Sequence, residues 1–217
     1  MILNSRVGQV ICANFAPSHC RWILDMLDSG YESTLRYYHT WHHINDVLDN
    51  LHDMAACDPS RDPLVYGACM LGAVFHDLVY VPGFSGNETL SANILREIQY
   101  LALDDAAQER IRCAVEAIRG TSARSHGYPS DEQKILHDAD WAVLGKPGDE
   151  YQLYSNRVRM EFMWQPLSEA AFNAGRAKFL KDTLDKPAIY MTQYGLDTWE
   201  KKARENMTQE LASLTHA

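Results

Sequence analysis

Residues 64–78 read Leu-Val-Tyr-Gly-Ala-Cys-Met-Leu-Gly-Ala-Val-Phe-His-Asp-Leu. Apolar residues point in nearly every direction around a helical period, and a helix that is hydrophobic all round is a buried one. Pro63, just before the stretch, suits a first helical position. The end of the stretch breaks the pattern with His76-Asp77. An imidazole and a carboxylate side by side at the end of an apolar helix are costly to bury unless both are satisfied. A divalent metal ion satisfies both, and a carboxylate can bridge two ions.

The rest of the chain carries helical periodicity around this element. Residues 11–27 repeat apolar positions at helical spacing, with Pro17-Ser18 as a break and cap. Residues 38–54 set Ile44, Val47, Leu48 and Leu51 on one side. Residues 81–87 (Val-Pro-Gly-Phe-Ser-Gly-Asn) form a loop by every breaker rule. Helices are predicted over 88–101, over 105–119 with Gly120 as the C-cap, and over 132–144, stopped by Gly145-Lys146-Pro147-Gly148. Three more follow over 150–163, 168–184 and 198–214. No alternating strand, internal repeat or linker is present. The reading is all-α, one domain over 1–217.

Composition narrows the function. The 217 residues suffice for one sizeable core, and 46% hydrophobic with 23% charged residues is ordinary for a globular chain. The formal charge is −9 and no Lys/Arg-rich run occurs, which argues against binding a nucleic-acid duplex through its phosphates. No apolar run is long enough to span a bilayer, and the first residues lack the pattern of a signal peptide. The five cysteines are odd in number and scattered. They read as buried thiols of a reducing cytoplasm, not as a disulfide frame or a zinc site.

Two further clusters carry chemistry. Residues 37–47, Tyr-Tyr-His-Thr-Trp-His-His-Ile-Asn-Asp-Val, hold three of the chain's nine histidines within five positions. On a helix, residues four apart lie nearly one above the other, so His39 and His43 project together while His42 points to the flank. In Asp138-Ala139-Asp140-Trp141 the second aspartate sits among apolar neighbours, as a buried ligand would. Asp138, about 200° away on the helix, is read as holding a histidine or a helix end.

The order His43, His76-Asp77, Asp140 on helices resembles the signature of the HD superfamily of metal-dependent phosphohydrolases. Tyr38-His39-x-x-x-His43-Ile-x-Asp46-Val47 is similar to a metal-binding segment of cyclic-nucleotide phosphodiesterases. So is His76-Asp77-Leu-Val-Tyr-Val-Pro82-Gly83 with Asn87, although Tyr80 stands where those enzymes have a second histidine and Val81 is extra. The chain resembles more closely a group of small bacterial HD phosphohydrolases that carry Tyr-His-x-x-x-His-Ile, Phe-His-Asp-x-x-Tyr, Asn-Glu-x-x-Ser-Ala and Asp-x-Asp-x-x-x-Leu-Gly. All four motifs are here, within residues 36–145, and the C-terminal helices, 150–214, carry no readable motif.

The resemblance implies an HD-type helical bundle with one or two divalent ions (Mn, Mg, Co, Fe or Zn) held by His43, His76, Asp77 and Asp140. It implies hydrolysis of a phosphate ester, a nucleotide above all, by a metal-activated hydroxide, with Asp77 bridging and His39 protonating the leaving group. Other candidates are Glu88, for a metal-bound water, and Arg36, Asn87 and His126, for the substrate. Their competing readings are structural: Asn87 as a helix N-cap, Glu88 as a first-turn acid, Arg36 as a surface side chain. Two other functions fit the same residues, a di-iron oxygenase with His126 as an added ligand and a nucleotide- or metal-binding module without turnover. The C-terminal helices are a candidate homodimer interface.

Overall fold

The computed structural model describes residues 5–60, 62–121 and 128–215. These form eleven α-helices: α1 (Arg6–Cys12), α2 (Pro17–Tyr31), α3 (Trp41–Cys57), α4 (Pro63–Phe75), α5 (Asn87–Glu97), α6 (Asp105–Thr121), α7 (Asp131–Trp141), α8 (Gly148–Phe162), α9 (Glu169–Leu184), α10 (Gln193–Thr198) and α11 (Glu200–Thr215). Short 3₁₀ turns, Gln99–Leu101 and Ala142–Gly145, extend α5 and α7. Among the described residues there is no strand, only an isolated bridge between Phe15 and Ala102. The fold is all-α and single-domain.

The apolar stretch that begins at Leu64 is the centre of the molecule. Helix α4 packs against α3, α6 and α7, and its Ala68, Cys69, Leu71, Ala73, Val74 and Phe75 are fully buried. Close approach is needed there: a methyl group on Gly72 would come within 2.9 Å of Leu136 Cδ2 on α7. Asp62 caps the helix by accepting from the Leu64 amide, with Pro63 in the first turn.

Several boundaries differ from the sequence expectation, and each has a local cause. Helix α4 ends at Phe75, not at residue 78: His76 is its C-cap and the Leu78 amide turns back to the Phe75 carbonyl. Helix α3 starts at Trp41, not at residue 38, because Thr40 caps it through the His42 amide. Gly120 does not stop α6, which runs through it to Thr121. The N-terminal stretch is two helices, divided before Pro17; the last predicted helix is α11, starting at Glu200, and the short α10 before it is not expected from the sequence. The cysteine reading needs correction too. All five are free, but only Cys20 and Cys69 are buried, while Cys12 and Cys57 are exposed.

Helix α11 lies on α9 and on the turn that follows α7. Gly145 makes this contact possible: a Cβ there would sit 2.5 Å from Trp199 Cβ and 2.8 Å from the Trp199 Cα and carbonyl oxygen. Backbone cannot yield as a side-chain tip can, so Gly145→Ala is expected to destabilise the protein by about 1–3 kcal/mol. Urea unfolding checks this, and an unchanged midpoint would contradict the close approach. No described helix is long and apolar enough to cross a membrane.

Candidate functional site

Four side chains from α3, the end of α4 and α7 converge beneath this core. His43 Nε2 lies 3.3 Å from His76 Nε2, 3.4 Å from Asp77 Oδ2 and 3.1 Å from Asp140 Oδ1. His76 Nε2 lies 3.1 Å from Asp77 Oδ2 and 3.4 Å from Asp140 Oδ1. The turn at the end of α4 permits this. On a continuing helix His76 and Asp77 would diverge by about 100°; leaving the helix lets both point to one spot.

The donor chemistry fits a cation. His76 Nδ1 is 2.9 Å from the Ala73 carbonyl, which only a ring N–H can satisfy. In the neutral ring, Nε2 then presents its lone pair inward. With His76 in that form, its Nε2 and the oxygens of the two carboxylates face one another as acceptors, an arrangement that needs a positive charge between them, from a metal ion or from a proton on an imidazole. Ligands about 2.1 Å from a common ion stand roughly 3.0–3.4 Å apart when adjacent, in octahedral or tetrahedral geometry, and the observed separations fall near that range. The buried group His43, His76 and Asp77 can hold a metal ion.

The electrostatics agree. Burial by itself pushes both imidazoles down, yet Asp77 and Asp140 hold His76 well above its ordinary value, and the same two carboxylates raise His43. Burial likewise pushes the carboxylates up, but His76, with His39 or His43, keeps Asp77 well below and Asp140 below the usual carboxylate range. Both acids remain ionised in this setting.

His39 stands beside the cluster, although not for the reason its spacing suggests. It precedes α3, so no helical i,i+4 relation holds, yet its ring lies 5.7 Å from that of His43. The agent is Glu161 of α8. Glu161 Oε1 accepts from the amides of Tyr37, Tyr38 and His39 at 2.8, 2.8 and 2.9 Å, and Oε2 is 2.7 Å from His39 Nδ1. One buried carboxylate thus gathers the three successive amides that precede the Thr40 cap of α3. Burial pushes Glu161 up, but the His39 ring and these amides hold it below its ordinary value. Tyr80, in the place of the second histidine of the resembled enzymes, stacks on His39 with centroids 3.8 Å apart.

The remaining candidates take varied positions. Arg36 binds backbone: Nη1 donates to the Asp77 and His39 carbonyls at 2.7 and 3.2 Å, and Nη2 to the Leu78 carbonyl at 2.8 Å. It braces the turn that carries Asp77. Asn87 is not the N-cap of α5, which is Gly86; its amide group both donates to and accepts from the Val81 backbone. Glu88 lines the cavity described below. His126 lies outside the described residues. His42 is on the exposed flank, 3.7 Å from Asp46. Asp138 holds both a histidine and a helix start: it accepts from His137 Nδ1, from the Met191 and Thr192 amides and from the Thr192 hydroxyl, at 2.7–3.0 Å.

A cavity of about 490 Å³ opens beside the cluster. His39, Tyr80, Glu88 and Asp140 line it, and α8 and α9 supply much of the remaining wall. The C-terminal helices, silent as motifs, therefore contribute both Glu161 and the enclosure. The signal that could have found Glu161 is its place in Met160-Glu161-Phe162-Met163-Trp164, an acid inside an apolar run. Comparison of the chain with protein-family models, with curated proteins and with solved structures gives no match in any of the three.

Proposed function

We infer that the protein is a metal-dependent phosphohydrolase that cleaves a phosphate ester, with nucleotides as the first substrates to test. The observation that carries this reading is the convergence of His43, His76, Asp77 and Asp140 within 3.1–3.4 Å at the edge of a ligand-sized cavity. These four residues would hold the ion, Asp140 as the fourth ligand, in the order that resembles the HD superfamily. A divalent ion there supplies Lewis acidity toward a phosphoryl oxygen and lowers the pKa of water toward neutrality. An iron, manganese, cobalt, magnesium or zinc ion all suit mixed nitrogen and oxygen donors.

The chain's own groups do the rest. His39 has Nδ1 engaged by Glu161, which leaves Nε2 as the nitrogen to hand a proton to the leaving oxygen. Tyr80 fixes the plane of that ring. Glu88 adds an acceptor at the cavity wall. Arg36 acts at a distance, by anchoring the carbonyls of Asp77 and Leu78. The acidic overall charge does not oppose an anionic substrate, because the ion sets the sign of the site.

The test is phosphate release from a panel of nucleotides by purified protein supplied with each divalent ion in turn. Activity should vanish with a chelator and return with the ion; no release under any combination removes the reading. Glu161→Gln checks the assignment of His39. It should lower kcat by about 10²-fold or more, within the range of a lost general acid, and shift the basic limb of the pH profile, where a general acid loses its proton, while metal content stays the same. A Gln that left the pH profile untouched would make His39 a bystander.

A further inference from the structure

Resting on the phosphohydrolase reading, the lining of the cavity also restricts what the phosphate is attached to. Its volume of about 490 Å³ suits a group of nucleoside size, since small-ligand sites run from about 300 to 1,000 Å³. Beyond the residues already placed at the cluster, its walls are largely apolar, with aliphatic side chains such as Val143, Leu144 and Leu167 beside four aromatic rings: Trp141 from α7, Phe162 from α8, and Phe172 and Phe179 from α9. These rings pair with one another, Trp141 with Phe179 at 5.9 Å and Phe162 with Phe172 at 5.6 Å between centroids. Aromatic walls favour a flat, uncharged guest.

Charge is the second restriction. Among the described residues lining the cavity, Arg176 is the one Lys or Arg. It is already committed. Its Nε and Nη2 donate to the two carboxylate oxygens of Glu210 at 2.9 and 3.0 Å, and Nη1 donates to the Tyr154 hydroxyl at 3.2 Å. The Ser155 and Tyr151 hydroxyls donate to the same carboxylate. The pair is buried and electrically balanced, a strut between α9 and α11. Glu88 and Asp140 add negative charge to the lining. Among the described lining residues a second or third phosphate would find no uncommitted side-chain cation, and an unpaired phosphate charge in such a cavity is costly.

We propose that the substrate is a single-phosphate ester of an aromatic or nucleobase-bearing group, its phosphate at the His43–His76–Asp77–Asp140 cluster and its ring in the chamber of Trp141, Phe172 and Phe179. Nucleoside monophosphates fit this class; di- and triphosphates do not.

Two variants and three probes test it. Gly175 lines the cavity, and a Cβ added there meets no atom within 4 Å, so Gly175→Phe starts a bulky side chain from the chamber wall with no clash at Cβ and improves a helical position. Phe179→Ala removes one wall. Adenosine monophosphate, adenosine triphosphate and methyl phosphate are compared in metal-loaded protein, by turnover and by calorimetric binding. The monophosphate should exceed the triphosphate in kcat/KM by at least about tenfold. Each variant should lower the ratio of adenosine monophosphate to methyl phosphate kcat/KM by about fivefold or more, the least expected for one lost base–aromatic stack. Equal use of mono- and triphosphate overturns the proposal, as does an unchanged ratio in both variants. Tight monophosphate binding that weakens in the variants, without turnover, upholds the chamber and removes the hydrolase reading. Absence of both binding and turnover removes both.

Discussion

Asp77→Ala is expected to abolish metal binding and phosphate release together. Asp77 offers Oδ2 at 3.1 Å from His76 Nε2 and 3.4 Å from His43 Nε2, so its loss opens the cluster on one side. Losing a group that merely orients a ligand costs about 10–100-fold in metal affinity; losing the ligand itself should cost more than about 100-fold. Elemental analysis of wild type and variant after identical dialysis reads the first effect, and the phosphate-release assay the second. Because Asp77 follows the end of α4 and the helix is capped through the His76 amide to the Gly72 carbonyl, the circular dichroism spectrum should keep its helical form. Full metal content in the variant would mean that the ligands are elsewhere. Two bound irons with oxygen consumption in the wild type would move the protein to the oxygenases, and bound metal without turnover to the binding modules.

Asp138→Ala is expected to be the most destabilising single substitution outside the apolar core. The carboxylate is fully buried and receives the His137 ring, two backbone amides and the Thr192 hydroxyl. It joins α7 to the start of α10, where Thr192 is the N-cap. Gly195 leaves it room, since a Cβ there would stand 2.5 Å from Asp138 Oδ2. Removing the acceptor strands several buried donors at about 1–3 kcal/mol each, so a loss of about 3–5 kcal/mol follows, or roughly 10 °C in melting temperature for a chain of this size. Equilibrium urea unfolding with an unchanged slope measures it. A loss below about 1 kcal/mol would show that water replaces the carboxylate.

These two aspartates differ in how they announce themselves. Asp77 stands beside a histidine at the end of an apolar helix, and its burden is visible in the residue string. Asp138 sits in the Asp138-Ala139-Asp140 motif, and its helical phase separates it from Asp140 even without coordinates. What it grips, the turn at Met191 and Thr192, is 53 and 54 residues away, and no local rule leads there. Arg36 was legible as a polar group near the site, but only the folded chain assigns it to carbonyls of the turn at Asp77.

By itself the sequence determined the all-α class and the buried central helix, because helical period and burial cost act within a few residues; that His43, His76, Asp77 and Asp140 belong to one site was implied by the resemblance alone. The sequence also placed His39 next to the cluster, though through a helix that starts two residues too late to do so. Only the tertiary structure decided that Glu161, 122 residues away, holds His39, that the C-terminal helices wall the cavity, and that Arg176 is neutralised by Glu210. Those facts depend on which distant surfaces pack together. A buried carboxylate finds its donors wherever the fold brings them, and helical periodicity carries no information about that meeting.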